Sequence, residues 1–269
     1  MTIALLFPGQ GSQFVGMGRD FYDKYDQAKN VYNQLDMGLN RSLTDLIFNG
    51  KDEEIALTTN SQPAIMATSI AILRCLQYEK LINLTNVSYT AGHSLGEYSS
   101  LVATESLDFK DAVKILKVRS EAMQESMPIG TGGMAAIIGS SLNQISKLMP
   151  ELNEIGKIYV ANDNADGQIV LSGEIKAIDH ICSNSKTYGI KRAIKLPVSA
   201  PFHCELIYSA KSKIRNEVQN YNFKDFKFPL ISNVEARPCK SSDIGELLVN
   251  QVVSRVRWRE SVEYMIKKK

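Results

Sequence analysis

The chain has 269 residues, 44% hydrophobic and 22% charged, an ordinary globular balance with material for a large core in one domain or one and a half. A net charge of +2 excludes the strongly basic footprint of a nucleic-acid binder, and Cys75, Cys182, Cys204 and Cys239 stand without CxxC spacing, so neither zinc site nor disulfide framework follows. The first seven residues carry no basic leader, and no apolar run reaches the roughly 18 residues of a membrane span, so a cytoplasmic protein with no membrane contact is expected.

Ile3 to Phe7 reads as a continuous apolar strand in a sheet covered on both faces. It runs into Pro8-Gly9-Gln10-Gly11-Ser12-Gln13. That loop lacks the G-K-[ST] of a P-loop and the G-x-G-x-x-G of a dinucleotide fold, which sets nucleotide binding aside. Two readings remain open: a plain tight turn, or a loop whose backbone amides serve an oxyanion. Residues 19 to 60 read as short polar helices and loops without chemistry. From Gln62-Pro63 an apolar dozen predicts a buried helix with proline at its start.

Val87 to Ala91 leans to strand, and Leu95 to Ala103 reads as a helix start. Between them stands Gly92-His93-Ser94-Leu95-Gly96, a G-x-S-x-G pentapeptide. A serine on a sharp strand-to-helix turn has its hydroxyl pushed out of the fold, and the N–H groups of the new helix point to the same spot. The alternative is a Gly-Ser turn of no chemical consequence.

Asp108 opens a helix whose apolar stripe is Ala112, Ile115, Leu116, Arg119, Ala122 and Met123. Arg119 therefore falls on the buried face, where an unpaired guanidinium is too costly to persist. Its anion is either an internal carboxylate or a substrate carboxylate held bidentately. Position alone leaves both open.

Strands are then expected at 132–139, 158–161, 168–171 and 191–198, with helices at 141–152 and 175–188 and a polar turn over 162–167. The order β-α-β-β-α-β is that of a ferredoxin-like split unit, inserted between Pro- and Gly-containing joints at 128–130 and 197–199. At the second joint stands Ser199-Ala200-Pro201-Phe202-His203. A nucleophilic serine needs a base. Of the three histidines, His93 follows a strand directly before Ser94 and should point away, and His180 sits in a polar helix. His203 is left, in a proline-stiffened loop where two domains meet. Phe228 to Ser232 reads as a strand and Ile244 opens a helix. Arg255, Arg257, Arg259 and the closing lysines are either a solvated face or a dock for an acidic partner.

Together, Pro8-Gly9-Gln10-Gly11-Ser12-Gln13, Gly92-His93-Ser94-Leu95-Gly96-Glu97-Tyr98, Arg119 within residues 118–124, Gly167-Gln168, Pro197 to Cys204, and Gln251 followed by residues 256–262 resemble the malonyl-CoA:acyl-carrier-protein transacylases of type II fatty acid synthesis, along essentially the whole chain and in the same order. The resemblance implies an α/β fold: a hydrolase-like core with a parallel sheet (residues 1–127 and 198–269) and a ferredoxin-like subdomain (128–197), with the site in the groove between them. It implies a ping-pong reaction in which Ser94 takes malonyl from malonyl-CoA and passes it to the phosphopantetheine thiol of acyl carrier protein, with His203 as base. Backbone N–H groups of Gln10 and Leu95 would form the oxyanion hole, Arg119 would hold the malonyl carboxylate, and Gln251 would help hold the histidine. No bound cofactor or metal is implied; the partner would be an acidic, transiently bound acyl carrier protein, and the enzyme a monomer. Phe202 before the histidine would favour malonyl over a branched acyl group. The polyketide acyltransferases are related. A carboxylesterase is the reading from another class, disfavoured by Arg119 and by the order of the residues. The family usually continues beyond residue 265 with a further strand and helix, so a chain ending at Lys269 is expected either to expose apolar surface there or to be part of a longer chain.

Overall fold

The computed structural model describes residues 3–198 and 200–268; Ser199, within the second joint, lies outside them. In chain order, β1 (Ile3–Phe7) is followed by α1 (Arg19–Lys24), α2 (Asp26–Leu39), α3 (Leu43–Asn49), α4 (Asp52–Ala56) and α5 (Thr58–Tyr78). Next come β2 (Val87–Gly92), α6 (Gly96–Ala103), α7 (Phe109–Glu125), β3 (Gly132–Ile138), α8 (Leu142–Ile155), β4 (Ile158–Ala165), β5 (Gln168–Glu174), α9 (Ile175–Ser183) and β6 (Arg192–Lys195). The chain closes with α10 (Ala210–Val218), β7 (Leu230–Ile231), α11 (Ile244–Gln251) and α12 (Trp258–Lys267).

Two sheets result. One is parallel, in the order β1-β2-β7, with Phe7 opposite Gly92 and Ala91 opposite Ile231. The other is antiparallel, in the order β4-β5-β3-β6. β1 is an edge strand, and its residues alternate instead of being covered on both faces: Leu6 is 50% exposed. That corrects the reading of a doubly covered strand.

The main core lies between the parallel sheet and the helices α2, α5, α6 and α7. α2 is longer and more deeply packed than a polar loop region would be. Its Ala28, Val31, Tyr32, Leu35 and Leu39 repeat at helical spacing and are all buried. α5 begins four residues before the first expected residue, which puts Pro63 inside the helix. A proline leaves the carbonyl four residues back without its partner. Here that carbonyl, of Thr59, accepts from Arg41 Nη2 at 3.1 Å.

The antiparallel sheet has its own core, centred on Ile137, Ile145, Leu152, Ile158, Ile169 and Ile178. β4 runs through residues expected as a turn, with register irregularities at Val160/Asn162 and Asp163/Ala165. α9 stops at Ser183 instead of 188. Beyond it, Asn184 Nδ2 donates to the His180 carbonyl and residues 184–189 fold back on one another.

Backbone ties the antiparallel sheet to the segment between α11 and α12, whose Arg257 N–H in turn donates to Asn233 O just beyond β7. The Val256 N–H donates to Ala161 O at 2.8 Å, and the Asp163 N–H to Val256 O at 3.0 Å. Beside this bridge Arg259 grips the buried Asp163 carboxylate through Nε and Nη2, at 3.1 and 2.8 Å.

Candidate active site

β2 delivers the chain to the elbow at its C-terminal end, and α6 leaves from it. Ser94 has φ 53°, in the left-handed region that a residue with a Cβ enters at a cost of about 1 kcal/mol or more. The turn needs both flanking glycines. A Cβ on Gly92 would collide with the Gly96 carbonyl, and one on Gly96 would lie 2.6 Å from Phe7 O and 2.8 Å from Pro8 O. The first strand and the elbow are thus in backbone contact, which brings the 8–13 loop to the serine.

His203 closes the arrangement. Its Nε2 lies 2.7 Å from Ser94 Oγ, and its Nδ1 is 2.9 Å from the backbone carbonyl of Gln251. Because a carbonyl only accepts, Nδ1 carries the proton and Nε2 is free to accept from the serine. Like Ser94, His203 is left-handed (φ 58°), a second strained residue in the same contact. Burial and then the charge of Arg119 pull the imidazole down to about 3. It is neutral at physiological pH, as a base must be before it takes a proton.

Arg119 is fully buried on α7. It donates to Gln62 Oε1 (2.6 Å), Gln251 Oε1 (2.8 Å) and Ser94 Oγ (3.0 Å). Among the described residues no carboxylate pairs with it directly, and its Nε has no acceptor. The Tyr98 ring lies 5.6 Å from the guanidinium carbon. The nearest buried acid acts at one remove: Glu97 accepts from Gln251 Nε2 and, at 3.1 Å, from the Asn233 N–H. Burial raises the Glu97 carboxyl to about 7 against those two donors and the Arg119 charge.

Gln251 is the hub. Its side chain accepts from Arg119, donates to Ser94 O at 3.0 Å and reaches Glu97, while its main-chain carbonyl holds His203. The Gln10 and Leu95 amides meet no acceptor among the described residues, and both residues line a cavity of ≈ 270 Å³ with Ser94, His203 and Gln62. Met134, Ala136 and Val170 from the antiparallel sheet and Phe202 form its apolar side, so the cavity lies between the two sheets.

His93 also lines it, which corrects the expectation that its ring points away. It does not bond Ser94. Its Nε2 pairs with Asn164 Oδ1 at 2.9 Å, and the ring meets the edge of Trp258. Sequence reasoning missed Gln62, Asn233 and Asn164. Gln62 had a signal, a polar residue opening an apolar helix; Asn233 and Asn164 lie in polar stretches with no pattern.

The chain matches the acyl transferase domain family over residues 4–268. It is 43% identical to the malonyl CoA-acyl carrier protein transacylase of Bacillus subtilis (strain 168), covering 98% of this chain and 83% of that one. Among solved structures, the acyl-carrier-protein-S-malonyltransferase from Bartonella henselae superposes with a TM-score of 0.95 at 40% identity, covering 99% of this chain and 85% of that one. A malonyl-transacylase solved in complex with its type II polyketide acyl-carrier protein superposes at 0.94 with 35% identity, covering 100% of this chain and 86% of that one. Geometry, sequence and fold agree, and the chain belongs to the acyl transferase family, among its malonyl-CoA–acyl-carrier-protein transacylases.

Proposed function

We propose that this chain moves a malonyl group from malonyl-CoA to the phosphopantetheine thiol of acyl carrier protein through a malonyl-Ser94 ester. His203 Nε2 takes the Ser94 proton as Oγ attacks the thioester carbonyl. The tetrahedral oxygen is held by the Gln10 and Leu95 N–H groups, each of which contributes about 3 kcal/mol at a site excluding water. His203 returns the proton to the departing CoA sulfur. The second half runs in reverse: His203 deprotonates the carrier thiol, sulfur attacks the ester, and Ser94 recovers its proton. Thioester becomes thioester, so the enzyme lowers a barrier without driving an equilibrium.

The observation that carries the reading is Arg119. A fully buried cation with no paired carboxylate among the described residues donates to the very oxygen that would hold the acyl group. A malonyl carboxylate supplies the missing anion; an acetyl group does not. Gln251 holds His203 through its carbonyl in place of a triad acid, and steadies Arg119 through its amide. In the same reading residues 128–197 are a ferredoxin-like unit set into a hydrolase-like core formed by 1–127 and 198–269. What supports this is the helix-strand order of the insert and its sheet order β4-β5-β3-β6. The protein acts as a monomer on an acidic carrier.

Mass spectrometry of the protein with malonyl-CoA, with and without acyl carrier protein, tests the proposal. The expected result is a malonyl adduct on Ser94 that passes to the carrier. An adduct lost to water instead means a hydrolase, and no adduct at all rejects the acyl-enzyme.

A further inference from the structure

Two parallel neighbours end side by side at the elbow. Ala91 on β2 faces Ile231 on β7, so the residue two beyond β7 lies level with the pentapeptide. That residue is Asn233, 1% exposed. Its Nδ2 donates to Gly92 O at 2.7 Å, and its Oδ1 accepts from the Ser94 N–H, also at 2.7 Å. One amide thus spans the elbow from the residue two before the nucleophile to the nucleophile itself. The Asn233 backbone is fixed in turn: its N–H donates to Glu97 Oε1, and its carbonyl accepts from the Arg257 N–H at 3.1 Å.

This bracing acts on the strained residue. Ser94 is left-handed without being glycine, and such a conformation persists only where its surroundings hold it. With its N–H taken by Asn233, Ser94 offers no amide to the oxyanion, and the next one, of Leu95, becomes the elbow's free donor. We propose that Asn233 is the positioning residue of the nucleophile. It holds the Ser94 peptide so that Oγ stays on His203 Nε2 and the Leu95 N–H faces the reacting carbonyl. Asn233 touches neither substrate nor thiol; it works through Ser94 and rests on the acyl-transfer reading of that serine.

The test compares Asn233→Ala and the near-isosteric Asn233→Asp with the native protein. Asn233→Ala loses both bonds. Asn233→Asp keeps an acceptor for the Ser94 N–H but sets a carboxylate oxygen against the Gly92 carbonyl. Malonyl-CoA turnover is measured at a temperature well below each melting point and normalised to folded protein. Both variants should lose kcat by on the order of 10–100-fold, below the full loss of an oxyanion donor, while the malonyl-CoA KM stays within about twofold. Native kcat per folded molecule in either variant overturns the proposal, as does a loss confined to KM. If Asn233→Ala does not fold, Asn233→Asp decides by the same criteria. Native protein that takes no malonyl adduct rejects the reading of Ser94. An adduct in the native protein with undiminished kcat in the variants rejects only the role of Asn233.

Discussion

At the scale of single residues, the site sets one buried cation, Arg119, beside a neutral imidazole and a hydroxyl. On the proposed reading Ser94→Ala removes the acceptor of the acyl group, and mass spectrometry with malonyl-CoA should then find no adduct. Arg119→Ala should cut malonyl kcat/KM by on the order of 100-fold, about 2.7 kcal/mol, while acetyl-CoA transfer holds or rises. A parallel loss for both acyl groups would make the guanidinium purely structural. Arg119→Ala should also move the acid limb of kcat/KM to higher pH, because the second-largest of the causes that depress His203, after burial, is gone. Stability responds to the same groups. His203, depressed from 6.5 to about 3, binds fewer protons folded than unfolded, so its contribution is complete above 6.5 and is lost as pH falls from there to 3. Glu97, raised from 4.5 to about 7, binds more protons folded than unfolded, so its contribution is lost as pH rises from 4.5 to 7. Between 4.5 and 6.5 the two slopes oppose. Thermal melts of Glu97→Gln should therefore gain on the native protein as pH is raised from 4.5 to 7.

At the scale of elements, the decisive fits are backbone against backbone. Gly92→Ala places a methyl on the Gly96 carbonyl and should leave no folded, acylatable protein, measured by circular dichroism and adduct formation. Arg41→Ala leaves the Thr59 carbonyl that Pro63 cannot serve to water, and urea titration should show a loss of about 1 kcal/mol or less with kcat unchanged. Much of this was legible in the residues. Glycines at fixed spacing marked the elbow, and an arginine on an apolar stripe marked itself as buried, because both signals are local. β7 was overdrawn because only two of its residues pair, and an apolar run does not say how long a ladder it finds. Gln251 holds His203 with a carbonyl that every residue owns, so no side-chain pattern could announce that contact. Asn233 lies 139 residues from the N–H it binds, and only the parallel register of β2 and β7 brings it there. The anion of Arg119 was open between an internal acid and a ligand. No direct carboxylate among the described residues and an unpaired Nε favour the ligand.

At the scale of the molecule, the cavity exists because two sheets are held at a fixed separation. The backbone bridge at Val256 and the Arg259–Asp163 pair supply that. Asp163 is fully buried, so Arg259→Met leaves a carboxylate without its cation and should cost about 3–5 kcal/mol. The double variant Arg259→Met with Asp163→Asn should recover much of the loss in thermal melts, since the uncompensated charge is then gone as well. The bridge has a further consequence, in time. Ser94 meets His203, Asn233 and Gln251 only across 109, 139 and 157 residues of chain. These three contacts of the nucleophile are all synthesised after it, and the insert must close on Val256 before the cleft has a second wall. On refolding, helix signal should return first and Ser94 should accept a malonyl group only later, with closure of those long loops setting the delay. Until then the serine hydroxyl lacks its contacts with His203 and Asn233, and on the proposed reading a half-made chain has no means of spending malonyl-CoA on water.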